Sequence, residues 1–183
     1  KKAIRQLAQT KPKTLLDVAT GTADVAIMAS GILHPDKITG IDISDGMLDM
    51  GRKKIEKLGL QDTIELLNGD CETINSDDNS FEAVTVAFGV RNFENLEKGL
   101  LEIKRVLKPG GKLVVLEFSK PKMPVVKSMY NLYMKFICPY IGRMFSKNRT
   151  AYEYLDESIK QFPEGKTFTG ILDNLGYKNT YSK

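Results

Sequence analysis

The stretch LLDVATGTAD at residues 15–24 constrains this chain most. An apolar strand runs into a turn of small residues, and the turn runs into a helix. Two further apolar runs each end on a carboxylate, Asp42 in ITGIDIS and Asp70 in LLNGDCE. That order builds a nucleoside-shaped pocket along one edge of an α/β sheet.

The same alternation continues beyond the loop. Periodicity predicts strands at 14–19, 37–43, 63–68, 81–88 and 112–118, with helices at 24–33, 45–58 and 95–107. A helix end is expected before Pro12, and SDDNS at 76–80 is a turn. Pro109-Gly110-Gly111 reads as the stop of the third helix. The run FEAVTVAF suits a strand covered on both faces. Strands alternating with helices make a Rossmann-like, mostly parallel sheet with helices on both faces. The pattern breaks after strand five. Residues 122–162 read as a helical insert on the substrate side, a helix follows at 166–175, and YKNTYSK begins a sixth strand after Gly176. At 183 residues the chain fits one domain with a sizeable core.

A dinucleotide loop wants G-x-G-x-x-G, so that backbone and helix terminus can approach a pyrophosphate. Aligned on Gly21, this loop carries Ala19, Gly21 and Asp24. The Asp24 carboxylate would repel that pyrophosphate, whereas with no phosphate present it favours the helix dipole and caps free N–H groups. S-adenosylmethionine has no phosphate. Ala19, Gly21 and Ala23 are small enough for its close approach. Asp42 can accept both ribose hydroxyls. Asp70 can accept from the adenine amine while the Cys71 N–H donates to a ring nitrogen, and Asp17 can favour the amino group of the methionine part. Ala87, ending strand four, is assigned to the same cofactor set. With the LKPGGKL segment that follows, the ordered set defines the class I methyltransferase type. The plainer alternatives are an N-cap for Asp24, a cap of the second helix for Asp42, a turn residue for Asp70 and a small packed residue for Cys71.

Charge and composition narrow the surroundings. No apolar run is long enough to span a bilayer. Lys1-Lys2 leads into AIRQLAQT and not into the apolar core of a signal peptide. Cys71 and Cys138, the two cysteines, do not make a disulfide scaffold and fit a reducing cytoplasm. Neither has a nearby His or second Cys, so no metal site is expected. Seven basic residues and no acid lie between Lys120 and Arg149, although the net charge of the whole chain is only +4. Tyr130, Tyr133, Phe136, Tyr140 and Phe145 are interleaved with them. A basic, aromatic segment on an otherwise acidic chain is expected to meet a greasy substrate or an anionic membrane surface. Packing into an ordinary core is the plainer use of those aromatics.

RVLKPGGKLVVLEFS at 105–119 resembles the signature of the ubiquinone/menaquinone biosynthesis C-methyltransferases. FGVRNF at 88–93, SKP at 119–121 and YEYLDESI at 152–159 are similar to the same family. The resemblance runs from about residue 14 to 177. It implies methylation of a ring carbon of a prenylated quinol by S-adenosylmethionine in respiratory quinone biosynthesis. By motif position, Thr22, Asp42, Asp70 and Cys71 match the family's cofactor contacts. The chain departs from the family in having Ala23 where a glycine is usual, and it lacks the family's N-terminal segment and the end of its sheet.

Ligands of such sheets sit at the carboxyl ends of the strands, so the loop after strand four faces the reacting methyl group. Arg91 there is the candidate stabiliser of a phenolate, with a salt bridge to a neighbouring acid such as Glu94 as its alternative. Asn92 can orient the quinol oxygen or a water that takes the ring proton. Tyr152 and Tyr154, with Ser158, are candidates for the quinol pocket or for core packing. Glu117 ends strand five without an assigned role, and His34, beside Pro35, is a surface residue. The expected location is cytoplasmic, peripheral at the inner face of the membrane, without nucleic acid as partner; no Asn/Asp-Pro-Pro-aromatic motif follows strand four. A homodimer is compatible with the chain. Two other functions stay open: methylation of another small hydrophobic acceptor, and non-catalytic binding of S-adenosylmethionine.

Overall fold

The computed structural model describes residues 1–118, 158 and 161–182. The chain divides into two compact units, one of Lys1–Glu117 with Leu172–Lys178 and one of Phe118–Ile171 with Asn179–Lys183.

The first unit is an open five-stranded sheet. Its strands are β1 (Thr14–Val18), β2 (Lys37–Asp42), β3 (Ile64–Asn68), β4 (Phe81–Ala87) and β5 (Leu107–Leu116). They lie in the order β3-β2-β1-β4-β5, and every neighbouring pair is parallel. The order reverses between β1 and β4, which opens a crevice at the carboxyl ends of these two strands. By the right-handed crossover rule for parallel strands, this order puts the helices α1 (Asp24–Leu33) and α2 (Asp45–Leu58) on one face and α3 (Leu96–Val106) on the other.

Each face is closed by an apolar stripe. Leu15, Ile38, Ile64 and Leu66 from the strands share a core with Ala26, Ala29 and Leu33 of α1 and Leu48 and Ile55 of α2. Leu100, Ile103 and Val106 form the buried stripe of α3. Helix α2 starts at Ser44, whose hydroxyl accepts from the Met47 N–H, and stops at left-handed Gly59. Helix α3 starts at Asn95, whose side chain accepts from the Lys98 N–H. These caps satisfy orphan backbone groups and set the helix ends locally.

Three elements depart from expectation. The N-terminal helix is a single 3-10 turn, Ile4–Leu7, whose end residues are both buried. Pro109-Gly110-Gly111 does not separate α3 from the last strand. It lies inside β5, where Phe81 pairs with Leu107 and Ala83 with Lys112, so four residues, Lys108–Gly111, stand opposite Glu82 alone between that first pair and the regular pairing that follows. The extra residues fit because Pro109 has no N–H to offer the ladder and Gly110 takes a φ of +80°. Finally, 177–182 form no strand. The Tyr177 hydroxyl donates to the Leu100 carbonyl at 2.8 Å, after a fourth described helix, α4 (Lys166–Asn174), and left-handed Gly176. In the second unit, the rings of Phe162 and Phe168 pack with centroids 5.2 Å apart.

Candidate active site

The loop leaving β1 has an alternating backbone. Ala19, Gly21 and Ala23 are left-handed, with φ of 53°, 56° and 62°. For the two alanines this conformation is disfavoured, because their Cβ atoms crowd the backbone. The surroundings hold them in it. Ala23 is fully buried. Ala19 faces Gly89 on the loop after β4, so closely that a Cβ at Gly89 would lie 2.4 Å from that of Ala19. Position 89 therefore admits only glycine, and the two loops meet at the crevice.

Asp42 ties that loop to β2. Its Oδ2 accepts from the Gly21 N–H at 2.8 Å and its Oδ1 from the Ser44 N–H at 2.9 Å. It does not cap α2; Ser44 does. In a dinucleotide loop such an N–H would face a pyrophosphate; here it faces a carboxylate of the chain itself. Each Asp42 oxygen keeps further lone-pair capacity, which fits a pair of ribose hydroxyls. With the small left-handed loop and no phosphate cradle, these residues fit S-adenosylmethionine.

Asp17 lies under the loop, 1% exposed. Its oxygens accept from Thr20 Oγ1 at 2.7 Å and Thr85 Oγ1 at 2.6 Å. Burial pushes its carboxyl up to about 6, against the pull of those hydroxyls and of the Ala26 N–H. Asp17 thus joins β1, the loop, β4 and α1 beneath the crevice.

Asp24 is not an N-cap. The cap position is Ala23, with no side-chain bond, and Asp24 is the first residue of α1. The carboxylate instead accepts from Lys54 Nζ at 2.8 Å and from Thr22 Oγ1 at 2.8 Å, and Lys54 also donates to Thr22 Oγ1 at 2.7 Å. The Lys54 bond, then that from Thr22, holds Asp24 below the usual carboxylate range. Lys54 had no signal in the sequence, since a lysine on α2 reads as part of a solvated face.

Asp70, exposed at the end of the β3 connection, accepts from the Glu72 N–H at 2.9 Å and so shapes a turn. Burial, then the neighbouring Asp70 charge, pushes the half-buried Cys71 thiol up to about 12. Buried Glu72 accepts from the Asn95 N–H at 2.6 Å, fastening this turn to the start of α3.

At the mouth of β4, Arg91 and Asn92 belong to a short 3-10 turn, Val90–Asn92, next to half-buried Ala87 and to Phe88, which has a φ of 58°. Arg91 does not pair with Glu94. Its Nη1 donates to Glu117 Oε2 at 2.7 Å, and the two side chains are only 10% and 7% exposed. The unassigned acid at the end of β5 is thus the partner of the candidate catalytic arginine. Tyr152 and Tyr154 lie outside the described residues, as does the basic segment 120–149 apart from its neighbour Phe118. His34 is exposed, in the left-handed cap position just after α1. Among the described residues no cluster of His, Cys, Asp and Glu suits a metal, and no helix is long and apolar enough to cross a membrane.

A parallel sheet with its switch at β1/β4 is shared with dinucleotide-binding proteins; the loop whose N–H turns to a carboxylate where a phosphate would sit sets this chain apart from them. This chain is a class I S-adenosylmethionine-dependent methyltransferase. Solved structures share the fold. One from Methanococcus maripaludis is 22% identical, with a TM-score of 0.61, covering 90% of this chain and 68% of the other. A SAM-dependent methyltransferase from Aquifex aeolicus is 26% identical, with a TM-score of 0.57 and 66% of each chain covered.

The chain belongs to the ubiE/COQ5 methyltransferase family, whose model matches residues 1–183. It is 45% identical over 177 residues to the demethylmenaquinone methyltransferase of Bacteroides fragilis, covering 97% of this chain and 72% of that one. It is 42% identical over 178 residues to the ubiquinone/menaquinone biosynthesis C-methyltransferase UbiE of a Geobacter species, covering 97% and 75%.

Proposed function

We propose that this methyltransferase of quinone biosynthesis C-methylates a prenylated quinol, converting demethylmenaquinol to menaquinol or carrying out the ubiquinone-pathway equivalent. The observation that carries the proposal is the buried Arg91–Glu117 pair at the mouth of β4, on the far side of the crevice from Asp42. When bound, S-adenosylmethionine would supply the methyl group from its sulfonium, the S–CH3 bond breaking as the ring carbon–methyl bond forms and S-adenosylhomocysteine leaving as the neutral thioether. Asp42 receives the ribose hydroxyls, Asp70 and the Cys71 N–H the adenine, and Ala19, Gly21, Thr22 and Ala87 line the approach. Asp17 acts on the methionine end, from beneath the loop.

The acceptor must be electron-rich at carbon, so its phenol must share or lose its proton. The Arg91 guanidinium stabilises the resulting phenolate, and Glu117 keeps that guanidinium aimed. Asn92 orients the quinol oxygen or the water that takes the ring proton once the new carbon–carbon bond has formed. Alignment of acceptor and methyl group supplies much of the acceleration, and phenolate stabilisation the rest. Tyr152 and Tyr154 contribute to the quinol pocket. The basic segment 120–149 rests on anionic lipid, which holds the enzyme peripherally at the inner face of the membrane where a prenylated substrate resides; each basic residue near that surface contributes up to about 1 kcal/mol.

Labelled S-adenosylmethionine offered with demethylmenaquinol, a demethoxylated benzoquinol and unrelated phenols tests the acceptor. Transfer to a quinol alone is expected; transfer to the other phenols alone, or to none despite cofactor binding, would remove the proposal. Flotation with anionic vesicles at low salt is expected to carry the protein upward and to fail at high salt.

A further inference from the structure

We propose that Lys54 is a positioning residue for the cofactor loop, fastening the two residues on either side of left-handed Ala23 and so setting cofactor affinity without entering the reaction. The proposal rests on the assignment of residues 19–24 to the cofactor. Lys54 Nζ donates to Thr22 Oγ1 at 2.7 Å and to Asp24 Oδ1 at 2.8 Å, and Thr22 Oγ1 donates to Asp24 Oδ2 at 2.8 Å. The three groups close a ring across Ala23.

Ala23 needs such help. Its φ of 62° suits glycine, but the residue carries a Cβ. That Cβ lies over Gly51, where an added Cβ would come within 3.3 Å of it. Gly51 and Lys54 are three residues apart on α2 and therefore share a face. Helix α2 thus meets the turn at two points, with Gly51 leaving room for the alanine and Lys54 gripping its neighbours. The Lys54 bonds to both Thr22 and Asp24 require the turn to be closed, so they favour the closed turn over open ones.

The effect is modest in size. Lys54 and Asp24 side chains are 38% and 72% exposed, and exposed pairs are weak. Lys54→Met is expected to raise the Kd for S-adenosylhomocysteine about threefold to tenfold. Turnover at saturating cofactor should stay within about twofold, since a clamp on binding leaves chemistry alone. Lys54→Arg should restore affinity. In an Ala23→Gly background, where the left-handed turn carries no Cβ penalty, Lys54→Met should cost less than about half as much. Amide exchange at Thr22 and Ala23 should quicken in unliganded Lys54→Met. An unchanged Kd, or an equal loss in both backgrounds, would overturn the role of Lys54 alone. Failure of the wild type to bind S-adenosylhomocysteine would instead remove the assignment of the loop, and the proposal with it.

Discussion

The two sides of the crevice are held together by different means. On the β1–β2 side the carboxylates are tied to main-chain N–H groups and hydroxyls: Asp42 to the N–H groups of Gly21 and Ser44, and Asp17 to Thr20, to Thr85 across on β4 and to the Ala26 N–H. On the β4–β5 side the organising bond joins two side chains 26 residues apart, Arg91 and Glu117. Backbone donors are available wherever the chain turns, so the Asp42–Ser44 and Asp17–Thr20 bonds follow from short motifs, while the Asp42–Gly21 and Asp17–Thr85 bonds also need β1 beside β2 and β4. A side-chain pair depends on which strand lies next to which, so the Arg91–Glu117 bond follows from the fold.

The sharpest way to break this contrast is to remove its central carboxylate. Asp42→Ala should weaken S-adenosylmethionine at least about a hundredfold in calorimetric titration, because charged hydrogen bonds of about 1.5–3 kcal/mol each are lost at the ribose. A change below threefold would show that Asp42 only braces the loop. On the other side, Arg91→Ala should lower turnover about a hundredfold to a thousandfold with cofactor Kd held. It should also destabilise the fold, because the buried Arg91–Glu117 ion pair is lost. Arg91→Met with Glu117→Leu should recover stability but not turnover; recovery of both would make the pair purely structural.

Asp17 gives a smaller, pH-dependent effect. Its folded pKa, about 6, is raised above the ordinary 3.8 by burial. Its contribution to stability is therefore fully present below about pH 4 and is lost as pH rises through 6, up to about 3 kcal/mol. The stability of wild type relative to Asp17→Asn should increase as pH falls from 7 to 4 in thermal melts; a pH-independent difference would remove the raised carboxyl. The smallest effect concerns Cys71. Since the thiolate is the reactive form, a thiol pushed up to about 12 should label far more slowly than free cysteine at pH 8 in a Cys138→Ser background.

Local signals carried much of the fold. Helices α1 and α2 span 24–33 and 45–58 as the periodicity predicts, and Ser44 and Gly59 mark the ends of α2 in the sequence itself. Four strands begin and end within a residue of expectation. The last strand was found but its start was placed five residues late, because Pro-Gly-Gly is a stop signal in a helix and a tolerated bulge beside a partner strand, and only the pairing with β4 tells the two apart. The strand expected after Gly176 is not seen at 177–182, where the Tyr177 side chain is fastened to the Leu100 carbonyl. At the site, the small loop was legible because a turn between strand and helix is a local event, and Asp42 because it is the carboxylate that ends an apolar strand. Glu94 was the nearest acid to Arg91 in the chain, but Glu117 is the nearest in space. Thr85 left a trace as a hydroxyl in an otherwise apolar strand, whereas Lys54 and its reach of 32 residues to Thr22 left none.

The most direct measurement is a side-by-side calorimetric titration of the wild type with S-adenosylmethionine and with NAD. Binding of S-adenosylmethionine at micromolar concentration, with no heat from NAD, is the expected result, because the loop N–H and Asp24 leave no place for a pyrophosphate. Binding of NAD with none of S-adenosylmethionine would contradict it.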